Sequence, residues 1–178
     1  MNIVLIGYRG TGKSTVARQL ALRLGWDWVD ADVEVELRAG KSIAAIFADD
    51  GPEAFRDWES AVLADLAHRE RTVLAAGGGA VLREANRRAL SAGGKLIWLQ
   101  AGPTTISQRI AGDAATARRR PGLTAAGSED EIVAVLAERI PIYQSCADVA
   151  IDTEGKTPGD VALEIMAFLD LSSQAELA

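Results

Sequence analysis

The fold class is indicated by one stretch near the N-terminus, Gly7-Tyr8-Arg9-Gly10-Thr11-Gly12-Lys13-Ser14. It fits the pattern G-x-x-x-x-G-K-[S/T] of a phosphate-binding loop. A short apolar run at 2–6 precedes it, and apolar residues four apart follow it at Val16, Leu20 and Leu24. A strand, a glycine loop and a helix in this order are the context that the pattern needs. We therefore favour a phosphate-binding loop over a glycine-rich turn that happens to precede a helix.

The loop predicts binding of nucleotide phosphates. Its glycines allow successive backbone N–H groups to point toward one anion, and the start of the next helix adds further unpaired donors. Lys13 is placed to reach the β- and γ-phosphates, and the Ser14 hydroxyl can coordinate Mg²⁺.

Apolar, strand-like runs recur along the chain and alternate with helical patterns. They lie at 3–6, 26–29, 72–76, 96–99 and 149–151. This alternation predicts an α/β fold, a parallel sheet with helices on both faces and ligands beyond the carboxyl ends of the strands. Three unusual stretches follow the first three of these runs: the phosphate loop, Asp30-Ala31-Asp32 and Gly77-Gly78-Gly79.

The composition favours one soluble domain spanning 1–171, with a flexible tail at 172–178. The 178 residues carry a net charge of −6, which argues against nucleic-acid and membrane-surface partners. One cysteine excludes an internal disulfide, and no apolar run approaches the length of a membrane span. We expect a cytoplasmic protein.

Asp30 and Asp32 have two interpretations. If the strand geometry persists, both carboxylates point to one side of the sheet, where they suit Mg²⁺ and a hydroxyl nucleophile. Alternatively, Asp32 caps the following helix. Spacing alone leaves both open.

Arg56 and Glu59 are three residues apart and would face one another on a helix. Without further information the pair is best explained as a surface ion pair, although a guanidinium held by Glu59 could grip a substrate carboxylate. The triplet 77–79 is better explained by a ligand approaching the backbone than by packing, because three glycines weaken a strand.

A segment at about 112–126 shows no apolar periodicity and contains Arg118-Arg119-Arg120-Pro121. We predict a mobile lid whose arginine closes over a transferred phosphoryl group, although such charge runs are usually solvated. Arg139 is predicted to end the helix that begins near Glu129, where it could favour the helix terminus or reach into a substrate cleft.

Taken in order, these motifs resemble the shikimate kinase family over residues 2–171. The resemblance rests on 7–15, on Val29-Asp30-Ala31-Asp32 with Glu36, on 42–47, on Phe55-Arg56-x-x-Glu59, on 77–81, on Arg120-Pro121 and on Arg139-x-Pro141-x-Tyr143. Arg9, the lid sequence 120–124 and Glu84-Ala85-Asn86-Arg87 are most similar to the second of the two enterobacterial isoenzyme types. Two departures are Ala31, where the family usually has threonine, and Gly122 in the lid.

The resemblance implies a P-loop fold with a five-stranded parallel sheet in the order 2-3-1-4-5. It implies transfer of phosphate from Mg·ATP to the 3-hydroxyl of shikimate, a step of the chorismate pathway to aromatic amino acids, with one Mg²⁺ per subunit. We expect a monomer.

The family roles fall on particular residues of this sequence. Those implied for ATP are Gly10, Thr11, Gly12, Lys13, Ser14, Thr15, Arg109 and Arg120, with Arg109 and 152–158 near adenine. Those implied for shikimate are Asp32, Arg56, Gly78, Gly79 and Arg139. Ser14 and Asp30 would hold Mg²⁺, and the catalytic residues would be Lys13, Asp32 and Arg120.

Two other classes share part of this pattern. A gluconate kinase or a nucleoside monophosphate kinase would need a different acceptor site, and nothing in the sequence replaces Arg56 and Arg139 as clamps for a carboxylate. A non-catalytic shikimate-binding regulator would be expected to lose Lys13, Asp32 or the lid arginine, and all three are present.

Overall fold

The structure is a computed structural model and describes residues 1–112 and 129–171. Strands and helices alternate through most of it, as the hydrophobic pattern predicts. The strands are β1 Asn2–Ile6, β2 Asp27–Asp30, β3 Thr72–Ala75, β4 Gly94–Gln100 and β5 Val149–Asp152. The helices are α1 Lys13–Leu24, α2 Ala31–Ala39, α3 Ile43–Asp49, α4 Gly51–Ala67, α5 Glu84–Gly93, α6 Pro103–Gly112, α7 Glu129–Cys146 and α8 Pro158–Phe168.

The five strands form one sheet in the order β2-β3-β1-β4-β5, and every neighbouring pair is parallel. Leu5 of β1 is paired with Ala75 on one side and Ile97 on the other. The expected sheet order is thus confirmed. The carboxyl ends of β1, β2 and β3 meet at one edge, so the three segments that follow these strands lie close together.

Alternate residues of each strand point to opposite faces, and each face has its own apolar core. On one face Ile3 and Leu5 pack with α1 and α8. On the other, Val4 and Ile6 pack with α2, α3, α4 and α5 and with the buried Tyr143 of α7. Burial on both faces explains why the central strands are continuous apolar runs.

The helix bounds differ from the sequence expectation in α7. Arg139 does not end a helix, because α7 continues through Pro141 to Cys146. Pro141 has no N–H to donate to the carbonyl of Ala137, a loss of about 3 kcal/mol in a helix interior. Burial of Tyr143 on the far side of the proline offsets that cost.

The predicted lid at 112–126 lies outside the described residues except for Gly112, which ends α6. The predicted tail at 172–178 also lies outside them. No helix within 1–112 or 129–171 is both long and apolar enough to cross a lipid bilayer.

Candidate active site

The phosphate loop leaves the carboxyl end of β1 and enters α1 at Lys13. Gly10 and Gly12 have φ angles of +79° and +91°, a region that residues with a side chain rarely adopt, and Gly12 is the N-cap of α1. The Lys13 ammonium donates to the carbonyls of Gly7 and Tyr8 at 2.9 and 2.7 Å. The loop therefore has its anion-binding shape through the backbone angles of its glycines and through the hydrogen bonds of the Lys13 side chain.

A cleft of about 530 Å³ opens above this loop. Its walls come from the loop, from the ends of β2 and β3, from Arg109 of α6, from the segment after β5 and from the start of α8. The lining residues are Arg9, Gly10, Thr11, Gly12, Lys13, Ser14, Thr15, Val16, Asp30, Asp32, Ala75, Ala76, Gly77, Gly78, Arg109, Thr153, Lys156, Pro158 and Val161. The cleft is large enough for a small-molecule ligand.

The two aspartates have different local roles. Strand β2 ends at Asp30, whose carboxylate caps α2 by accepting a hydrogen bond from the Asp32 N–H at 3.0 Å. An aspartate does cap α2, but it is Asp30 and not Asp32, the residue considered from the sequence. Asp32 lies in the first turn of α2 and lines the cleft, so the expected strand geometry does not persist to it.

Ser14 and Asp30 lie together at the mouth of the phosphate loop. The Ser14 hydroxyl donates to Asp30 Oδ2 at 2.5 Å. One neutral and one anionic oxygen beside the phosphate site form a donor set that suits Mg²⁺, which usually completes its coordination with phosphate oxygens and water. Within 1–112 and 129–171 there is no group of three or more Asp, Glu, His or Cys side chains that could hold a metal unaided.

Each glycine of the triplet faces a different part of the site. A methyl group added at Gly77 would lie 2.8 Å from Asp32 Oδ1, and one at Gly79 would lie 2.5 Å from Arg56 Nη2. At Gly78 it would lie 3.2 Å from the backbone nitrogen of Arg9 in the phosphate loop. The sequence predicted that a ligand approaches the backbone of 77–79. In the structure, groups of the protein itself lie close to this backbone.

Arg56 is held against Gly79 by Glu59. Arg56 Nη1 donates to Glu59 Oε2 at 2.5 Å, and the two side chains are 19% and 2% exposed. The surface interpretation favoured by the sequence is wrong, because Glu59 is buried and both side chains lie beside the glycine triplet. A buried carboxylate that orients a guanidinium leaves the planar N–H fork at a fixed place.

Helix α7 brings Arg139 to the same glycine triplet. Arg139 Nη1 donates to the Gly78 carbonyl at 3.1 Å, and its guanidinium lies 5.6 Å from the ring centroid of Tyr8. The Tyr143 hydroxyl donates to the same carbonyl at 2.6 Å. Residues on α4, α7 and the phosphate loop therefore meet around 78–79.

Arg109 lies at the other end of the cleft. It donates to the side-chain oxygen and the carbonyl of Thr153 at 2.9 and 3.1 Å, and it approaches the Gly10 carbonyl at 3.5 Å. This arrangement joins α6, the phosphate loop and the segment after β5, so 152–158 borders the cleft as expected.

The structure brings most of the predicted site residues together. The phosphate loop, Asp30, Asp32, Gly78 and Arg109 line the cleft, and Arg56, Gly79 and Arg139 adjoin it through the glycine triplet. Arg120 lies outside the described residues.

Sequence reasoning gave no role to three residues that the structure places at or behind the site. Val161 lines the cleft, Tyr143 bonds to Gly78, and the buried Asn86 donates to the Ala80 carbonyl at 2.8 Å. The spacing of Arg139 and Tyr143, one helical turn apart, is a signal that could have identified Tyr143.

Comparison with known proteins agrees with this geometry. A family model described as shikimate kinase matches residues 9–170. A shikimate kinase of Rhodopirellula baltica is 43% identical and covers 99% of this chain and 95% of its own length. One from Pseudomonas syringae pv. tomato is 44% identical, with 94% and 95% covered.

Among solved structures, a shikimate kinase from Acinetobacter baumannii in complex with shikimate superposes with a TM-score of 0.87 and 34% identity. The match covers 96% of this chain and 94% of that one. On these matches, the chain belongs to the shikimate kinase family.

Proposed function

We infer that this protein is a shikimate kinase that transfers the γ-phosphoryl group of ATP to the 3-hydroxyl of shikimate. The observation that carries the inference is one edge of a sheet where a phosphate loop, two carboxylates and two arginines converge on a glycine triplet. Family membership supplies the identity of the acceptor, since the Acinetobacter relative is described in complex with shikimate.

The phosphate end holds the donor. Residues 10–15 bind the triphosphate through backbone N–H groups and the Lys13 ammonium, and Arg109 lies beside adenine. Ser14 and Asp30 would hold Mg²⁺, which would neutralise negative charge on the phosphates. Arg120, which lies outside the described residues, is proposed as a further cation for the ATP phosphates.

The acceptor end holds shikimate. Arg56, fixed by Glu59, and Arg139 bind its carboxylate, and Gly78 and Gly79 present backbone to the ring. A protein with a net charge of −6 attracts an anion only through such fixed local cations. We propose that the protein acts as a monomer.

Asp32 connects the two ends. It orients the attacking hydroxyl or accepts its proton. The hydroxyl oxygen forms a bond to the γ-phosphorus, the bond from that phosphorus to the β–γ bridging oxygen breaks, and ADP leaves with that electron pair. Lys13 stabilises the negative charge that develops on the transferred group.

A coupled assay of ADP release with different acceptors tests the function. With ATP and Mg²⁺ we expect turnover with shikimate, at least about a hundredfold less with gluconate or AMP, and a similar loss with shikimamide, which lacks the carboxylate charge. Equal activity with gluconate or AMP would favour a kinase of another acceptor. Shikimate binding without turnover would favour a non-catalytic regulator.

A further inference from the structure

The Gly78 carbonyl accepts two hydrogen bonds from one helix. Tyr143 Oη lies 2.6 Å and Arg139 Nη1 3.1 Å from the same oxygen. The two donors are four residues apart on α7, so they lie on one helix face. Only one of the two, Arg139, has the charge and the chain length to serve a substrate carboxylate.

Tyr143 is a fixed donor. Its side chain is fully buried, and its ring stacks on Trp98 of β4 with the centroids 5.6 Å apart. Burial raises the pKa of the Tyr143 hydroxyl to about 12, so the proton that it donates stays in place at physiological pH. Arg139 is only partly buried and is held by a longer bond.

The consequence concerns the cost of moving Arg139. Leaving a buried carbonyl without any hydrogen-bond donor costs the full free energy of its desolvation. If one donor remains, the cost is small. When the Arg139 guanidinium turns to a carboxylate, Tyr143 keeps the Gly78 carbonyl bonded. The glycine triplet, which faces Asp32 and Arg56, then stays in position.

We propose that Tyr143 is a positioning residue for acceptor binding, because its hydroxyl holds the Gly78 peptide and thereby frees Arg139 to bind the shikimate carboxylate. The proposal rests on the proposed function. It assigns Tyr143 no contact with either substrate, so its removal affects binding of the acceptor and spares binding of the nucleotide.

Tyr143→Phe removes one oxygen atom and keeps the ring that packs on Trp98. By calorimetric titration we expect the Kd for shikimate to rise about tenfold and the Kd for ATP to stay within about twofold. KM for shikimate should rise with its Kd, while kcat at saturating shikimate stays within about threefold. This division between KM and kcat separates positioning from general damage, which would lower kcat and weaken binding of both substrates.

Thr72→Val is the matched control. Thr72 is buried at the amino end of β3, and its hydroxyl donates to the Glu70 carbonyl at 3.1 Å. Thr72→Val loses a hydroxyl-to-carbonyl hydrogen bond of the same kind far from the cleft. The Kd values for shikimate and for ATP should therefore equal those of the wild type.

A second measurement leaves residue 143 in place. The chain has two tyrosines, so a Tyr8→Phe protein made with 3-fluorotyrosine carries a single ¹⁹F label, at 143. Saturating shikimate should shift its resonance, because Tyr143 becomes the main donor to Gly78, and ATP alone should not.

The outcomes separate the two proposals. The role of Tyr143 alone would be overturned if the wild type binds shikimate and Tyr143→Phe binds it with the same Kd. It would also be overturned if shikimate does not shift the ¹⁹F resonance. A wild-type chain that does not bind shikimate would overturn the proposed function and this inference with it.

Discussion

The two ends of the cleft are built in opposite ways. The phosphate end comes from one stretch of sequence, in which Gly10 and Gly12 shape the loop and Lys13 begins the next helix. The acceptor end comes from four separate segments, which carry Asp32, Arg56, the glycine triplet 77–79 and Arg139. Its contacts join residues far apart in sequence, such as Arg139 and Gly78.

This difference predicts how each end responds to mutation. The glycine backbone angles set most of the shape of the phosphate loop, so replacing one side chain there should mainly remove a charge that the reaction needs. A site assembled by side chains that press on a glycine backbone should lose its geometry when one contact changes. The following substitutions test this division.

Lys13→Ala should have the largest effect. It removes the ammonium that compensates charge on the transferred phosphoryl group, and we expect kcat to fall at least about a hundredfold while the Kd for shikimate is unchanged. Steady-state kinetics and calorimetry measure the two quantities. Lys41→Ala, which removes a surface partner of Asp50, is the control. Near-normal turnover in folded Lys13→Ala would mean that the loop is not the catalytic site.

Asp32→Asn tests the residue that connects the two ends. It keeps the size of the side chain but removes the charge that orients or deprotonates the hydroxyl, so kcat should fall by about a hundredfold or more. The Kd for ATP should change little, and Asp49→Asn on the exposed surface should behave as the wild type. An unchanged kcat would show that Asp32 has no catalytic role and serves only in the first turn of α2.

Gly79→Ala tests the acceptor end through its backbone. The new methyl group would lie 2.5 to 2.8 Å from the guanidinium of Arg56. The end of a flexible side chain can move, so the fold should survive while Arg56 is displaced. We expect the Kd for shikimate to rise about tenfold or more, with the Kd for ATP and the melting temperature nearly constant. Equal losses for both ligands would break the proposed division of the cleft.

Asp148→Asn should have the smallest effect, because it lies at the opposite edge of the sheet. Desolvation raises the pKa of Asp148, but hydrogen bonds from Lys95 and the Leu96 N–H outweigh it and hold that pKa below its usual value of 3.8. A lowered pKa stabilises the fold above pH 4, and that contribution disappears as the pH falls through the folded pKa.

We expect Asp148→Asn to lower the free energy of unfolding by less than about 1 kcal/mol at pH 7, with both Kd values unchanged. Urea unfolding should show the difference from the wild type shrinking below pH 4. A loss of shikimate binding in this variant would show that the cleft depends on the remote edge.

The same division explains what the sequence could predict. The phosphate loop can be predicted because its motif lies in one short stretch of sequence. The sheet order is predicted only through the resemblance to the shikimate kinase family. The capping role of Asp30, the course of α7 through Pro141 and the burial of the Arg56–Glu59 pair were not predicted. Each depends on packing between distant segments, which outweighs local preferences for turns, caps and solvent.

The three glycines at 77–79 also offer a way to classify other sequences. Because each one faces a different neighbour, a replacement at each position should carry its own signature: at 77 a disturbed Asp32, at 78 a disturbed phosphate loop, at 79 a displaced Arg56. A gene that keeps the phosphate loop but has a larger residue at 79 should therefore encode a protein that still binds nucleotide and has changed its acceptor. Genome surveys could use this triplet to separate true isofunctional copies from those that have acquired another substrate.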